Sequence, residues 1–323
     1  MTNRFFCTLF DRNYMTKGVA MLTSMATNCP GAHVFVLCMD DLTYEVLGQI
    51  NFSHVELIRL SDVEDESLLA VKPTRGVAEY CWTLTPCLPW HIFETHPTVN
   101  QLTYLDADLL FFSDASPLFE EIGDASIAIV EHRFIPRLAP SAVNGRFNVE
   151  WVTFRRDEQG LACLRRWREQ CIEWCFNRLE DGRMGDQKYL DEWPDKYSSV
   201  CIVQHLGAGL APWNYANYEI ESGANGIVVD GLPLIFYHFH QFQMYRGGTF
   251  DYMAKMYTLE KPPPKLIYKT YEKALLNALQ LIRRYQPGFA YGIQPIMPIL
   301  ARRFVQHFFP TWLKSTLKRW IHT

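Results

Sequence analysis

Apolar runs alternate with amphipathic segments along the first sixty residues of the chain. The runs 4–9, 33–39 and 55–60 have the length and composition of buried strands, whereas 17–27 and 43–50 repeat apolar residues at helical spacing. Strands that are separated by helices usually form mostly parallel sheets with helices on their faces. The pattern therefore predicts an α/β fold with a central sheet.

The same alternation continues further along the chain. Helices are predicted at 79–93, where two prolines would kink or split the helix, and at 160–178. Further strands are predicted at 126–130 and 149–154, and the apolar strand 102–105 ends at a pair of aspartates. These segments enlarge the predicted sheet and supply its covering helices.

Three consecutive prolines, 262–264, predict the end of this main body, because such a run favours an extended chain. Beyond them, the segments 265–285 and 298–320 are amphipathic and predict helices. We therefore expect a main domain, 1–260, that is followed by a helical extension, 261–323.

Charge is distributed unevenly between these two parts. The chain of 323 residues has a net charge of −4, but residues 262–323 hold ten Lys and Arg against one Glu, so they carry +9 and the rest carries −13. Basic and aromatic side chains predict that 265–323 binds an anionic membrane peripherally, unless these helices pack on the acidic body instead. The acidic body argues against nucleic-acid binding.

The cysteines and the amino terminus indicate the compartment. Nine cysteines, an odd number and mostly within apolar segments, argue against a disulfide framework, and no secretory leader is found. No apolar run reaches the ~18 residues that span a bilayer. We expect a cytoplasmic protein, with any membrane contact on the inner face of the cell membrane.

Acid chemistry is concentrated at Asp106 and Asp108, which follow the apolar strand 102–105. In an extended chain, side-chain alternation directs both carboxylates to the same side. Two carboxylates beside an apolar run repel each other and lose solvation, and a divalent cation removes both costs. This favours a metal site, although a solvated strand end that caps a turn would use the same residue types.

The segment 104–108, Tyr-Leu-Asp-Ala-Asp, resembles the metal and nucleotide-sugar motif of retaining glycosyltransferases of the GT-A fold. That group includes glycogenin and the bacterial lipooligosaccharide galactosyltransferases. The resemblance covers about residues 4–257 and implies a Rossmann-like GT-A domain. It also implies that Asp106 contacts the nucleotide ribose and the metal, and that Asp108 binds the metal, Mn²⁺ or Mg²⁺, that bridges the donor diphosphate.

The same resemblance assigns two groups of residues to the donor. The loop after the first strand would hold the uridine, with Tyr14 stacking on the base, unless Tyr14 is an ordinary loop aromatic. The second group, just before the predicted helix 79–93, would lie over the phosphates and the sugar; a solvated charged loop is the alternative. The other members are Thr8, Phe10 and Asp11 in the first group, and Lys72, Arg75 and Glu79 in the second.

Two further segments resemble sugar-binding residues of the family. Asn148 lies in a strand that would face the donor sugar, and the pair Asp186 and Gln187 would lie beneath the sugar ring. Each segment could instead be only a turn, and Asp186 is well placed to cap a helix over 187–192. These three residues are the candidate catalytic residues.

A histidine is expected as the third metal ligand, because Mn²⁺ accepts mixed nitrogen and oxygen ligands. His238 follows a buried strand and comes after the Asp186–Gln187 pair, as the corresponding histidine does in the family, so we rank it before His240 and His205. A lone histidine on an apolar strand is otherwise more often a core residue. His205 begins a segment similar to the family's His-x-x-Gly-x-x-Lys-Pro-Trp pattern, but Ala211 replaces the phosphate-binding lysine. Two cations could supply the missing charge: Arg246 and Lys72.

The resemblance implies a metal-dependent glycosyltransferase. It would move a hexose from a nucleotide diphosphate sugar, a UDP-sugar, to a glycan or lipid-linked acceptor with retention, in surface polysaccharide or lipopolysaccharide synthesis. The sequence does not choose between a covalent intermediate and front-face attack. Two alternatives stay open: a sugar nucleotidyltransferase, although no Gly-rich phosphate loop is found near the amino terminus, and a catalytically silent homologue that acts as a membrane-associated scaffold.

Overall fold

The computed structural model describes residues 4–224, 226–252 and 261–295. The strands are β1 Arg4–Phe10, β2 Ala32–Cys38, β3 Val55–Arg59, β4 Gln101–Leu105, β5 Leu109–Phe111, β6 Ile127–Glu131, β7 Phe147–Arg155, β8 Val200–Val203, β9 Ile220–Gly223, β10 Gly226–Val229, β11 Leu232–Pro233, β12 Phe236–His238, β13 Gln243–Tyr245, β14 Thr249–Asp251 and β15 Ile293–Gln294. The α-helices are α1 Met15–Asn28, α2 Asp41–Ile50, α3 Leu60–Val63, α4 Glu66–Val71, α5 Val77–Thr95, α6 Ser116–Ile122, α7 Glu158–Glu173, α8 Trp193–Lys196 and α9 Lys265–Tyr285. Short 3-10 helices cover Lys72–Thr74, Pro136–Asn144, Gln187–Glu192 and Tyr215–Asn217.

A central sheet with the strand order β3-β2-β1-β4-β7-β6-β8 organises the molecule. Only β7 runs antiparallel to its neighbours in this sheet. Successive residues of β1 point to opposite faces: Phe6 joins a core with α1, and Cys7 joins a core with α5 and α7. Because both faces are buried, the strands read as continuous apolar runs. The predicted α/β fold with a mostly parallel sheet flanked by helices is confirmed.

Three helical predictions differ from the structure in detail. Pro86 and Pro89 lie inside α5 without splitting it, and both are buried, so packing offsets the hydrogen bonds they remove. The helix predicted over 160–178 already ends at Glu173, since Trp174 is extended. Residues 187–192 form a 3-10 helix, and the Asp186 side chain makes no capping hydrogen bond to it.

Helix α9 lies where the sequence predicts it, and its apolar stripe packs into the core around α1. The Tyr271 ring stacks on Phe239 with 3.6 Å between centroids, and the Tyr268 hydroxyl lies 3.0 Å from that of Tyr237. These contacts support β12, so the first helix of the predicted extension stabilises the main body. The division of the chain at residue 260 stays a prediction.

The packing of α9 limits how a membrane could be bound. Its apolar stripe is occupied inside the protein and cannot also insert into lipid. The helix predicted at 298–320 lies outside the described residues. Within the described ranges, no helix combines the length and the apolar character that crossing a bilayer requires.

Candidate active site

Asp106 and Asp108 lie in a turn between β4 and β5, not on one extended strand as the alternation argument assumed. The chain leaves the central sheet here, because β5 pairs with β12 in a separate two-stranded sheet. The Asp106 amide donates to the Glu150 carbonyl at 3.2 Å, and the Asp108 carbonyl accepts from the Phe239 amide at 3.0 Å. Backbone bonds to two other elements therefore hold the turn.

Pairing of β5 with β12 places His238 opposite Leu109, directly beside the turn. The His238 Nε2 atom lies 3.1 Å from Asp108 Oδ1 and 3.9 Å from Asp106 Oδ2. One ligand atom from each of these residues lies within 4.8 Å of the other two. Two carboxylate oxygens and an imidazole nitrogen suit Mn²⁺, and also suit other divalent cations that accept mixed ligands.

The other two histidine candidates lie outside this group. The His240 ring centroid is 5.8 Å from that of His238, and the ring packs on Trp213. His205 Nδ1 accepts the Gly207 amide at 3.0 Å, and the His205 amide donates to Glu121. Geometry therefore favours His238 as the third ligand, while the ligand role itself stays a prediction.

Glu150 orients His238 and has no assigned role in the sequence analysis. Its side chain is 1% exposed, and its Oε2 accepts a hydrogen bond from His238 Nδ1 at 2.6 Å. A proton on Nδ1 leaves the Nε2 lone pair free for a metal, which is the usual arrangement of a metal-bound histidine. The register of β6 against β7 shifts between Ile129 and Val130, so this part of β7 departs from regular pairing and its side chains are re-aimed.

Lys17 is a second side chain that the sequence analysis did not assign to the site. It lies in the first turn of α1, and its Nζ is 3.4 Å from Asp108 Oδ2. Its side chain is 16% exposed, and the ammonium lies 4.4 Å from the centre of the Tyr14 ring. Asp108 is therefore held between His238 on one oxygen and Lys17 on the other.

Burial and mutual repulsion perturb the acids of the site. Burial, reinforced by Asp108 and opposed by His238, raises the pKa of Asp106 to about 7. Burial also acts on Asp108, but Lys17 and then His238 outweigh it and hold its pKa well below the ordinary range. Although burial alone would lower the pKa of His238, the carboxylates of Asp108 and Glu150 hold it well above the ordinary value. Without a cation, Asp106 and His238 thus bind protons that offset the negative charge of the site.

Asn148 lies on β7 and is fully engaged in a buried network. Its Oδ1 accepts the Glu150 amide at 2.7 Å, and its Nδ2 lies 2.9 Å from His132 Nε2. His132 Nδ1 donates to the Arg146 carbonyl at 3.1 Å, and burial lowers the pKa of His132 to about 3, so the ring is neutral. The predicted contact of Asn148 with a sugar stays a prediction, but the network shows that Asn148 positions Glu150.

Asp186 interacts with Asp106, whereas its neighbour Gln187 contacts a different segment. Asp186 is buried, and burial together with the Asp106 charge raises its pKa to about 7. The Trp167 indole donates to the Asp186 carbonyl at 2.9 Å and fixes the backbone. Gln187 Nε2 lies 3.4 Å from the Asn144 carbonyl. The electrostatic coupling of Asp186 to Asp106 connects this pair with the cluster, whereas its catalytic role stays a prediction.

The predicted base-binding residues divide between the end of β1 and the loop that follows it. Thr8 and Phe10, in β1, are buried, and the Phe10 ring packs so closely on Gly18 that a Cβ there would lie 2.5 Å from it. Asp11 accepts the amides of Asn13 and Tyr14, at 2.9 and 3.1 Å, and shapes the loop. Tyr14 is 45% exposed and leaves a ring face for a ligand. Of this group, Tyr14 is the residue best placed to contact a base.

Lys72 and Arg75, which precede α5, and Glu79, in the first turn of α5, have local partners instead. Lys72 Nζ lies 2.6 Å from Glu64, and Arg75 donates to the Ile172 carbonyl at 3.0 Å. Glu79 accepts the Gly76 amide at 2.7 Å and the Asn177 amide at 2.9 Å. None of the three joins the metal cluster in the described part of the chain, so their assignment to the donor stays a prediction.

Arg246 follows β13 and is exposed. It lines an open cavity of about 320 Å³ together with residues 286–291, and its amide donates to the Gln294 carbonyl at 2.9 Å. Tyr291 of the same wall lies under the Arg12 guanidinium, 5.3 Å away, next to the loop after β1. The cavity wall therefore borders the loop after β1, and the phosphate role of Arg246 stays a prediction.

Comparison with solved structures identifies the fold. The glycosyltransferase GlyE of Streptococcus pneumoniae TIGR4 aligns with a TM-score of 0.52 and 14% identity over 88% of this chain, which spans 63% of that longer protein. The galactosyltransferase LgtC, solved with donor and acceptor sugar analogues, aligns with a TM-score of 0.50 and 14% identity over 86% of this chain and 94% of its own. The chain has the GT-A fold of these glycosyltransferases, as the resemblance implied.

Sequence comparison identifies the family. The chain is 32% identical to the uncharacterized protein YfnD of Bacillus subtilis strain 168 over 95% of its length and 99% of that protein. It is 30% identical to YfnF of the same strain over 88% of its length and 95% of that protein. The chain belongs to the family of YfnD and YfnF. No protein-family model matches it.

Proposed function

We propose that the protein is a metal-dependent glycosyltransferase. It moves a hexose from a nucleotide diphosphate sugar, a UDP-sugar, to a glycan or lipid-linked acceptor with retention, in surface polysaccharide or lipopolysaccharide synthesis. The observation that carries this proposal is the group of Asp106, Asp108 and His238 at the end of β4, in a GT-A fold; Asp108 and His238 are buried, and Asp106 is partly exposed. The complex of LgtC with donor and acceptor sugar analogues supports a sugar-transfer role for this fold.

The charges of the site support a divalent cation. Four carboxyl groups meet around the turn: Asp108, Glu150 and Asp186 are buried, and the Asp106 side chain is 31% exposed. Among the residues that the structure describes, Lys17 and His238 form ion pairs with this group. A buried acidic excess is unstable without a compensating ion. Asp106, Asp108 and His238 would hold Mn²⁺ or Mg²⁺, which when bound stabilises the departing diphosphate as a Lewis acid.

The remaining residues define where a donor would lie. The exposed Tyr14 ring stacks on the base, and the three ligands hold the diphosphate end. Asn148, Asp186 and Gln187 bound the sugar on the sheet side of the cluster. Glu150 keeps Nδ1 of His238 protonated, so that Nε2 faces the donor side.

Retention is proposed to occur by front-face attack. The acceptor oxygen forms a bond to the anomeric carbon on the face from which the diphosphate leaves, and the acceptor proton passes to a departing phosphate oxygen. A front-face path requires no protein nucleophile, so neither Asp186 nor Gln187 has to attack the anomeric carbon.

The test is release of nucleotide from a panel of UDP-, GDP-, CDP- and ADP-sugars with Mn²⁺. The reactions are repeated with a chelator and with Asp108→Asn, and donor binding is measured by calorimetry. Asp114→Asn is the matched control, because Asp114 forms a surface pair with Arg4 at 2.9 Å, away from the turn. We expect release from one donor, lost with chelator and with Asp108→Asn and retained in the control.

Two results would overturn the proposal. Formation of a sugar nucleotide from a sugar phosphate and a nucleoside triphosphate would indicate a nucleotidyltransferase. No release and no binding of any donor would indicate a silent scaffold.

A further inference from the structure

Lys17 is a partly buried cation, with a side chain 16% exposed, next to the candidate metal ligand Asp108. Its ammonium lies between the Tyr14 ring, 4.4 Å away, and Asp108, 3.4 Å away. A lysine ammonium ordinarily carries a positive charge at neutral pH. Lys17 therefore lies between Tyr14, the candidate base-binding residue, and Asp108, a candidate metal ligand.

A lysine in this place is costly if its only partner is Asp108. Asp108 already has His238 at 3.1 Å, and it would also share a divalent cation. Two cations around one carboxylate repel each other strongly in a buried site. The arrangement becomes favourable when a further anion enters, and a diphosphate brings at least two negative charges.

Two buried hydroxyl groups near Lys17 also lack partners. Thr16, its neighbour in the first turn of α1, and Tyr271 of α9 are buried, and neither hydroxyl has a hydrogen-bond partner among the residues that the structure describes. The Tyr271 ring stacks on Phe239, whose amide donates to the Asp108 carbonyl, so Tyr271 lies close to the turn that holds Asp108. The first turn of α1 contains no acidic side chain. Unpaired donors and a positive helix end favour an anion.

We propose that Lys17 binds the diphosphate of the nucleotide donor, between the base on Tyr14 and the metal ligands. This inference rests on the proposed function. The family's His-x-x-Gly-x-x-Lys-Pro-Trp pattern has a phosphate-binding lysine where this chain has Ala211. In this proposal Lys17 binds the phosphates instead, and it does so from a different element, α1. Ala211 is buried and carries no charge.

The test separates binding of the diphosphate from binding of the base and the metal. Calorimetry with Mn²⁺ measures UDP, UMP and uridine on the wild type, on Lys17→Met and on Lys17→Arg. If the donor panel selects another nucleotide, its diphosphate, monophosphate and nucleoside are used. The matched control is Lys196→Met, which removes a lysine paired with Glu192 at 2.8 Å on the surface.

We expect Lys17→Met to weaken UDP binding by about tenfold or more, the usual size of a charged hydrogen bond. Uridine binding should change less than about twofold, and Lys17→Arg should recover part of the UDP affinity. Mn²⁺ affinity without nucleotide, measured by electron paramagnetic resonance, should stay equal or rise, because a repelling charge is removed.

Equal UDP affinities of the wild type and Lys17→Met would overturn the inference while leaving the proposed function intact. Loss of Mn²⁺ binding in both Lys17 variants would also overturn it, since Lys17 would then only maintain Asp108. A wild type that binds none of the nucleotides would instead refute the proposed function, and the inference with it.

Discussion

Two groups of charged residues each contain candidates that the same sequence resemblance assigned to the donor, and the structure treats the two groups differently. The acidic cluster, comprising Asp106, Asp108, Glu150, His238 and Lys17, draws its members from α1, the β4–β5 turn, β7 and β12. The α5 entrance group, comprising Lys72, Arg75 and Glu79, lies within one short stretch and binds neighbouring loops and carbonyls.

Burial explains why this difference matters. Asp108 and His238 are 5% and 4% exposed, whereas the Lys72 side chain is 43% exposed and its pair with Glu64 is a surface pair. Surface pairs contribute little, and water can replace them. A buried acidic cluster is stable only with compensating charge, so it persists where a ligand or an ion supplies that charge. Convergence of buried charges from distant segments is therefore the stronger indication of a site.

The largest effect should come from removing a carboxylate of the cluster. Asp106→Asn keeps the shape but removes a candidate ligand, so we expect nucleotide release to fall at least about a hundredfold. Lys72→Met in the α5 entrance group should change the rate less than about threefold. Equal losses in the two variants, with unchanged melting temperatures, would remove the distinction between the groups.

A smaller effect is expected at Glu150, which acts through His238. Glu150→Gln should weaken Mn²⁺ binding about ten- to a hundredfold, because the charge that holds Nδ1–H is lost. The matched control is Glu64→Gln, which alters the carboxylate that accepts from Lys72 and Tyr80 at 2.6 and 2.7 Å. Mn²⁺ affinity should be unchanged in the control. If Glu150→Gln binds Mn²⁺ like the wild type, Glu150 has only a packing role.

The pH dependence should also be confined to the acidic cluster. The pKa of Asp106 is about 7, and the pKa of His238 is raised, so both hold protons that Mn²⁺ must displace. Mn²⁺ affinity should therefore rise at least about tenfold from pH 5.5 to 7.

Without metal, raised carboxyl pKa values mean that the folded chain binds more protons than the unfolded chain between about pH 4 and 7. Folding stability therefore falls as pH rises through this window.

Thermal unfolding with and without Mn²⁺ measures this difference. The increase in melting temperature caused by Mn²⁺ should be larger at pH 7.5 than at pH 5.5 in the wild type, and close to zero at both in Asp108→Asn. A shift that is independent of pH in the wild type would show that Mn²⁺ displaces no proton from this site.

Local patterns were sufficient for the fold. The strands β1 and β2 and the helix α9 were predictable because strands buried on both faces and an amphipathic stripe leave direct signals. The edge strand β3 was predictable from its apolar run, although only Ile58 of it is buried. The end of α7 was overestimated, since Trp174 continues the apolar stripe but adopts an extended backbone. Propensity does not determine such an end, because it depends on tertiary contacts.

The site was only partly predictable, for a related reason. Asp106, Asp108 and His238 belong to recognisable segments, but Lys17 and Glu150 enter through packing between distant elements. Glu150 gave one signal, a carboxylate within the apolar run 147–154, which requires a buried partner. The register shift in β6 and β7 that redirects it has no such signal.

The smallest effect is expected at Glu79, and it should be on stability alone. Glu79→Ala removes the acceptor of the Gly76 and Asn177 amides and should cost about 1 kcal/mol of folding free energy, as for other helix caps. These amides hold the pKa of Glu79 below its ordinary value, so the stabilisation by the Glu79 carboxylate is present at neutral pH and is lost as the pH falls through the lowered pKa.

Urea unfolding at pH 7 measures the loss of folding free energy in Glu79→Ala, with Glu45→Ala on the exposed face of α2 as the control. Donor and Mn²⁺ affinities should not change; a weaker donor affinity in Glu79→Ala alone would return the α5 entrance group to the donor site.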